Sequence, residues 1–289
     1  MEEKITAVKK QWRDNIIWII IAGSLVMFGG DLLAMFVIPE VHESQSYLFT
    51  LMAYMEFLPT WVSVLIAIFC FEKNRYMKDT IMMNSKGNTL SFLLFGFLLG
   101  FLLNGLCALI AGLHGDIQLK FLSFDFLPVL GLFIAVFVQS SAEEVLCRGF
   151  IYQRLLHANE KPIWAVLLNS LFFAVIHLAN DGISFLAFYD LLMTGIFFSL
   201  VVYYFDSLWM AMAIHTSWNF TQSILLGLPN SGESFPYSIF QLNANNTHAS
   251  FAYNTAFGLE GTILSAVLMT ISCIVLYVWK NKEKKLLTY

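Results

Sequence analysis

The stretch Phe126-Leu-Pro-Val-Leu-Gly-Leu-Phe-Ile-Ala-Val-Phe-Val-Gln-Ser-Ser-Ala-Glu143-Glu144-Val-Leu-Cys147-Arg148 joins an apolar run of spanning length to two adjacent acids and a base. Crossing the hydrocarbon core takes ~20 predominantly apolar residues in a helix. A charge at the centre of such a helix costs on the order of 2.5–3.5 kcal/mol even on the lenient insertion scales, so ionisable residues there are functional candidates. On a helix, residues four apart share a face and neighbours do not. Glu144 therefore faces Arg148, acid N-terminal to base. Glu143 points about 100° away, toward Ser140 and Cys147, and has no local cation. Glu144 is expected to stay ionised in its pair, whereas desolvated Glu143 is the acid suited to general-base work. Both could instead merely anchor Arg148 near the interface, but one acid would suffice for that.

Outward from this stretch, the whole chain reads as membrane protein. Of its 289 residues, 58% are hydrophobic and 12% charged, against roughly 25% charged in a soluble domain. Mean hydropathy is +0.70. Eight apolar segments of spanning length can be drawn, at 16–38, 49–71, 90–113, 126–147, 161–179, 183–205, 207–228 and 256–279. The expectation is an all-α bundle of eight transmembrane helices, one integral membrane domain over residues 1–289, multi-pass in the cell membrane. Lys and Arg mark cytoplasmic loops. With eight spans, Lys4, Lys9, Lys10, Arg13, Lys73, Arg75, Lys78, Lys86, Arg148, Arg154, Lys161, Lys280, Lys282, Lys284 and Lys285 share one side, and Lys120 alone takes the other. Both termini are therefore predicted cytoplasmic. No cleavable signal peptide is expected, because the basic start runs straight into a spanning segment.

Other features read as structure. The cysteines, Cys70, Cys107, Cys147 and Cys273, have no CxxC spacing, so neither a disulfide framework nor a zinc ribbon is indicated. Cys147 is read as a small buried apolar residue rather than a nucleophile. Gly96 and Gly100 form a small-xxx-small pair suited to close helix packing. Asn245-Asn246-Thr247 matches a glycosylation sequon and is taken as a chance match. No internal repeat of the kind that marks secondary transporters is seen. Asp31, Glu56, Asn104, Asp190 and Glu260 lie in or near spans without a readable partner pattern and are expected to serve packing or hydration.

Two later helices supply imidazoles. Residues 158–162, Ala-Asn-Glu-Lys-Pro, read as a turn, with Pro162 suited to a first helical position. If the fourth span continues to about residue 157, an antiparallel hairpin forms. Glu143 and His177 then stand level, ~25 Å from its turn at 1.5 Å per residue. Asn169, Phe173 and His177 recur four apart and make one polar-aromatic face. His215 and Asn219, again four apart, share a face of the seventh span. Together these groups suit a water-activating hydrolase. Glu143 and His177 would hold and deprotonate water, and His215 and Asn219 would stabilise the oxyanion of a tetrahedral intermediate. Peptide-bond hydrolysis fits, since it needs no redox cofactor. A divalent metal such as zinc is an alternative, with Glu143, His177 and His215 as ligands, although the reading does not require it and the HExxH helix is absent.

The residues also resemble a known family, the CAAX-protease and bacteriocin-processing (CPBP, or Abi) intramembrane endopeptidases. Its motifs are EExxxR, FxxxH and HxxxN. Here they read Glu143-Glu144-Val-Leu-Cys-Arg148, Phe173-Ala-Val-Ile-His177 and His215-Thr-Ser-Trp-Asn219. The resemblance covers about residues 125–225, taken as the catalytic core. It implies an eight-helix bundle with a hydrophilic cavity, the first Glu as water activator, and Glu144, Arg148 and Phe173 as supporting residues. It leaves metal dependence open. Relatives divide between removal of the last three residues of a CAAX tail and peptide maturation or bacteriocin self-immunity. A peptide or protein substrate reached within the lipid bilayer is expected, and no nucleic acid. Two other classes fit less well: a cation- or proton-coupled transporter using the acids and histidines as a relay, and a non-catalytic immunity or scaffold protein.

Overall fold

A computed structural model describes residues 15–158 and 161–286; Lys4, Lys9, Lys10, Arg13, Asn159 and Glu160 lie outside them. The helices are α1 (Ile16–Val37), α2 (Ser46–Met55), α3 (Leu58–Phe69), a single turn α4 (Lys78–Ile81), α5 (Leu90–His114), α6 (Phe126–Glu144), α7 (Tyr152–Ala158), α8 (Pro162–Ile176), α9 (Phe185–Phe205), α10 (Leu208–Asn219) and α11 (Ile263–Leu286). Among the described residues, six helical stretches are long and apolar enough to cross a bilayer: 16–37, 46–69, 90–114, 126–158, 185–205 and 263–282. The chain is a multi-pass membrane protein. Its large apolar side chains on α1, α5 and α11 face outward, as a lipid-facing surface requires.

Two of the eight expected spans come out shorter. α8 has 15 residues and ends at Ile176. α10 has 12, and Phe220–Leu225 continues it with wide π turns. The second span is interrupted at Glu56 and Phe57, where Pro59 in the first turn of α3 cannot continue an upstream hydrogen-bond ladder. Pro162 does open α8. A two-stranded antiparallel ribbon, β1 (Leu119–Phe121) on β2 (Phe240–Leu242), corrects the all-α expectation and ties the long loop after α10 to the end of α5.

α10 is wrapped by its neighbours and packs most extensively on α5. Gly96 and Gly100 make that approach close: a methyl at Gly100 would overlap Ile214 O and Ser217 Oγ, and one at Gly96 would meet Met210 O. This is the packing the glycine pair predicts. α6 also packs on α10, and α8 packs on α9.

The bundle has two distinct ends. At one, Tyr76 stacks on His157 with ring centroids 4.7 Å apart, Lys86 pairs with Asp206 at 3.4 Å, and Lys280 lies over the Phe205 ring. At the other are the ribbon and a hydrogen bond from Asn180 Nδ2 to Ser231 O at 2.8 Å.

Candidate functional site

α6 runs into a π-helical segment, Val145–Ile151, before resuming as α7. π turns occur frequently at functional sites, and both π segments here touch a motif, one overlapping Glu143–Arg148 and one following Asn219. Widened turns free backbone groups. Gln153 Nε2 donates to Arg148 O at 3.2 Å and satisfies one of them.

The twin acids separate as the helical geometry predicts. Glu144 is fully buried. Its Oε1 accepts from Arg148 Nη1 at 2.9 Å and from His215 Nδ1 at 3.1 Å. Arg148, also fully buried, donates through Nη2 to Gly195 O at 3.0 Å. Its guanidinium lies 4.6 Å from the centre of the Phe173 ring and 5.4 Å from that of Phe198. Phe173 thus supports Arg148 on one side, and its carbonyl accepts from His177 Nδ1 at 2.7 Å.

Glu143 points the other way, into a cavity of about 660 Å³. Its Oε1 accepts from Gln139 Nε2. Its Oε2 is buried with no hydrogen-bond partner, and His177 Nε2 and His215 Nε2 each lie 3.9 Å from it. Glu143 and His177 are therefore level, as the hairpin argument expects. His177 is the residue capping α8, with φ −90° and ψ 1°, the bridge region where many active-site residues sit. Each imidazole hands its Nδ1 proton to a fixed acceptor, Phe173 O or Glu144, so in the neutral form each Nε2 presents a lone pair toward Glu143. Phe198 stacks on His215 at a centroid distance of 5.3 Å and fixes its ring plane.

Asn219 meets this group differently. Its Nδ2 donates to Gln139 Oε1 at 3.0 Å and to Ser140 Oγ at 3.3 Å. Through Gln139 it is linked to Glu143. Cys147, on the π segment, is fully buried, the apolar role expected of it.

The sequence reading missed several residues. Gln139 stands four before Glu143 on the same helical face, a spacing that could have been read. Glu260 accepts from Trp218 Nε1 at 2.8 Å and from Ser231 Oγ. Asp31, Glu56 and Glu260 all line the cavity, where the sequence placed them in packing or hydration. Nothing in local spacing points to this, because they come from three separate parts of the chain. Asn104 and Asp190 do serve packing. Asn104 donates to Gln222 Oε1 at 2.8 Å, and Asp190 accepts from Gly261 N–H at 2.9 Å.

Two imidazoles and a carboxylate are the donor chemistry of a catalytic zinc site. The spacing is not that of a closed coordination shell. Zinc binds such atoms at ~2.0–2.1 Å, which places tetrahedral neighbours about 3.4 Å apart. Here each nitrogen is 3.9 Å from Oε2, and among the described residues no three such side chains converge on one point.

Fold and cavity together define a multi-pass membrane protein with a polar site inside its helix bundle. Residues 125–221, which carry all three motifs, match the model of the family described as Type II CAAX prenyl endopeptidase Rce1-like, so the likeness to the CAAX-protease family is shown over that segment. No curated protein matches the chain. At family level the match supports an intramembrane endopeptidase of CAAX type.

Proposed function

We propose that this protein hydrolyses peptide bonds within the membrane, using a water held by Glu143 and His177. The supporting observation is the unpartnered Glu143 Oε2, 3.9 Å from each of two Nε2 atoms whose imidazoles are oriented from behind. A water ~2.8 Å from both Oε2 and His177 Nε2 would subtend about 90° between them, close to its own bond angle. It would give one hydrogen to each and keep its lone pairs for a carbonyl carbon.

Glu143 takes a proton as the water oxygen bonds to that carbon, and the carbonyl electrons move onto oxygen. His215, doubly protonated, would keep Nδ1–H on Glu144 and present Nε2–H to the oxyanion. Asn219 is assigned to the same oxyanion, which requires one Nδ2–H to leave Ser140 Oγ for it, while the other holds Gln139 and hence Glu143 in place. The carbonyl then re-forms, the C–N bond breaks, and Glu143 returns its proton to the departing amine. Burial and the surrounding aromatic rings limit competing water and strengthen each interaction.

The same reading retains eight crossings, with α8 and α10 as short ones, both termini cytoplasmic, and a single membrane domain whose catalytic part is about 125–225. Peptide processing, bacteriocin self-immunity or CAAX-type C-terminal cleavage are the activities it allows. It routes no step through a metal. Should an ion be required, Glu143, His177 and His215 are the residues that would have to close on it, and metal analysis of active, chelator-treated protein decides this.

Purified protein in liposomes should cleave peptide, and Glu143→Gln, His177→Ala and His215→Ala should each lose at least ~100-fold in rate with insertion unchanged. Ion flux without peptide cleavage would instead favour a relay transporter. Full function of all three variants in a protection assay would favour a scaffold.

A further inference from the structure

Among the described residues, none of the basic connections lines the cavity. Its wall is completed by Pro39 and Glu40 after α1, Asn180 after α8, Ser231 and Glu233 after α10, and Glu260 before α11. All four are helix ends on the side opposite the connections that carry Lys73, Arg75, Lys78, Lys86, Arg154 and Lys161. Separate contacts mark the two ends: Tyr76 on His157 and Lys86 with Asp206 at one, Asn180 with Ser231 at the other. Basic connections stay in the cytoplasm. The mouth therefore faces away from it.

Apart from the imidazoles of His177 and His215, the wall side chains that carry charge near neutral pH are acids. Asp31, Glu40, Glu56, Glu143, Glu233 and Glu260 line the cavity, and among the described residues no Lys or Arg does. The nearest buried base, Arg148, is fully buried behind Phe173 and bonded to Glu144. One buried atom points into this acidic space without a hydrogen-bond partner: Glu143 Oε2, on a side chain only 11% exposed. A low-dielectric pocket lined by one sign of charge concentrates ligands of the other sign.

We infer that the cavity takes a positively charged peptide segment, one carrying Lys or Arg side chains, presented from the non-cytoplasmic side. This rests on the protease reading for what happens to the segment, but not for how it enters. The same wall repels a free C-terminal carboxylate of the kind a CAAX tail offers, and places such a tail on the wrong side of the membrane. Of the activities the family allows, processing of cationic peptides outside the cytoplasm is the one this cavity selects.

Thiol labelling with a membrane-impermeant maleimide tests both parts. Pro39→Cys marks the mouth and Glu72→Cys marks the basic end, each in a Cys70→Ser background. In intact cells position 39 should label and position 72 should not, with the reverse in inverted vesicles. A Lys-rich peptide should slow labelling at position 39 about tenfold, and a Glu-rich peptide of the same length should leave it unchanged. Labelling of position 39 only from the cytoplasmic side, or equal slowing by both peptides, overturns the inference. Failure of the wild-type protein to cleave any peptide, with the labelling pattern as expected, strikes the protease reading and leaves the entry side and charge preference standing.

Discussion

Arg148 is the charge whose removal should hurt the fold most. Both its partner Glu144 and Arg148 itself are fully buried, and the guanidinium also sits against Phe173. Removing one member of such a pair strands the other. Arg148→Met is expected to cost about 3–5 kcal/mol, read as a lowered unfolding temperature in detergent. Gln139→Leu should behave otherwise. It takes away the donor to Glu143 Oε1 and the acceptor for Asn219, so cleavage should fall by ~10–100-fold with stability changed far less. At this scale the sequence was readable wherever two partners sit on one helix. Glu144 and Arg148 are four apart, and the structure pairs them. Level placement of Glu143 and His177 followed from counting along a hairpin. Glu260, by contrast, reaches the cavity from a loop far along the chain, and no local periodicity encodes that. Helix spacing puts Asn219 on the face of His215 as an oxyanion donor but names no bonding partner, and its amide binds Gln139 and Ser140.

Among elements, the α5–α10 contact holds the His215 helix in place, and glycine sets its distance. Gly100→Ala should cost about 1–3 kcal/mol, because the new methyl meets backbone and Ser217 across a close-packed seam. Gly105→Ala, on the same helix but with open space around its added methyl, should be neutral or stabilising by up to ~1 kcal/mol. Thermal unfolding of both variants checks the pair. The small-xxx-small pair predicts close packing on this face of α5, though not which helix supplies the partner. No residue pattern marks the π segments: 145–151 holds Arg148 among apolar residues and 220–225 holds Thr221, Gln222 and Ser223, and their widened turns arise from packing and from groups such as Gln153 that satisfy the loosened backbone. For the same reason α8 and the α part of α10 are shorter than hydropathy implied, since apolar content marks a span but not where its hydrogen-bond pattern changes.

For the molecule as a whole, composition already dictated a membrane bundle, and clustering of Lys and Arg divided its loops between two ends. Hydropathy could not show that acids from α1, the α2–α3 break and the loops flanking α10 and α11 meet in a single space, because convergence is a property of packing. The account rests on Glu143, and not its neighbour, being the acid that activates water. Peptide cleavage by purified Glu143→Gln and Glu144→Gln, measured beside their unfolding temperatures, tests this most directly. Glu143→Gln is expected to lose at least ~100-fold in rate at near wild-type stability, and Glu144→Gln to lose stability foremost. Wild-type cleavage by folded Glu143→Gln would contradict the account.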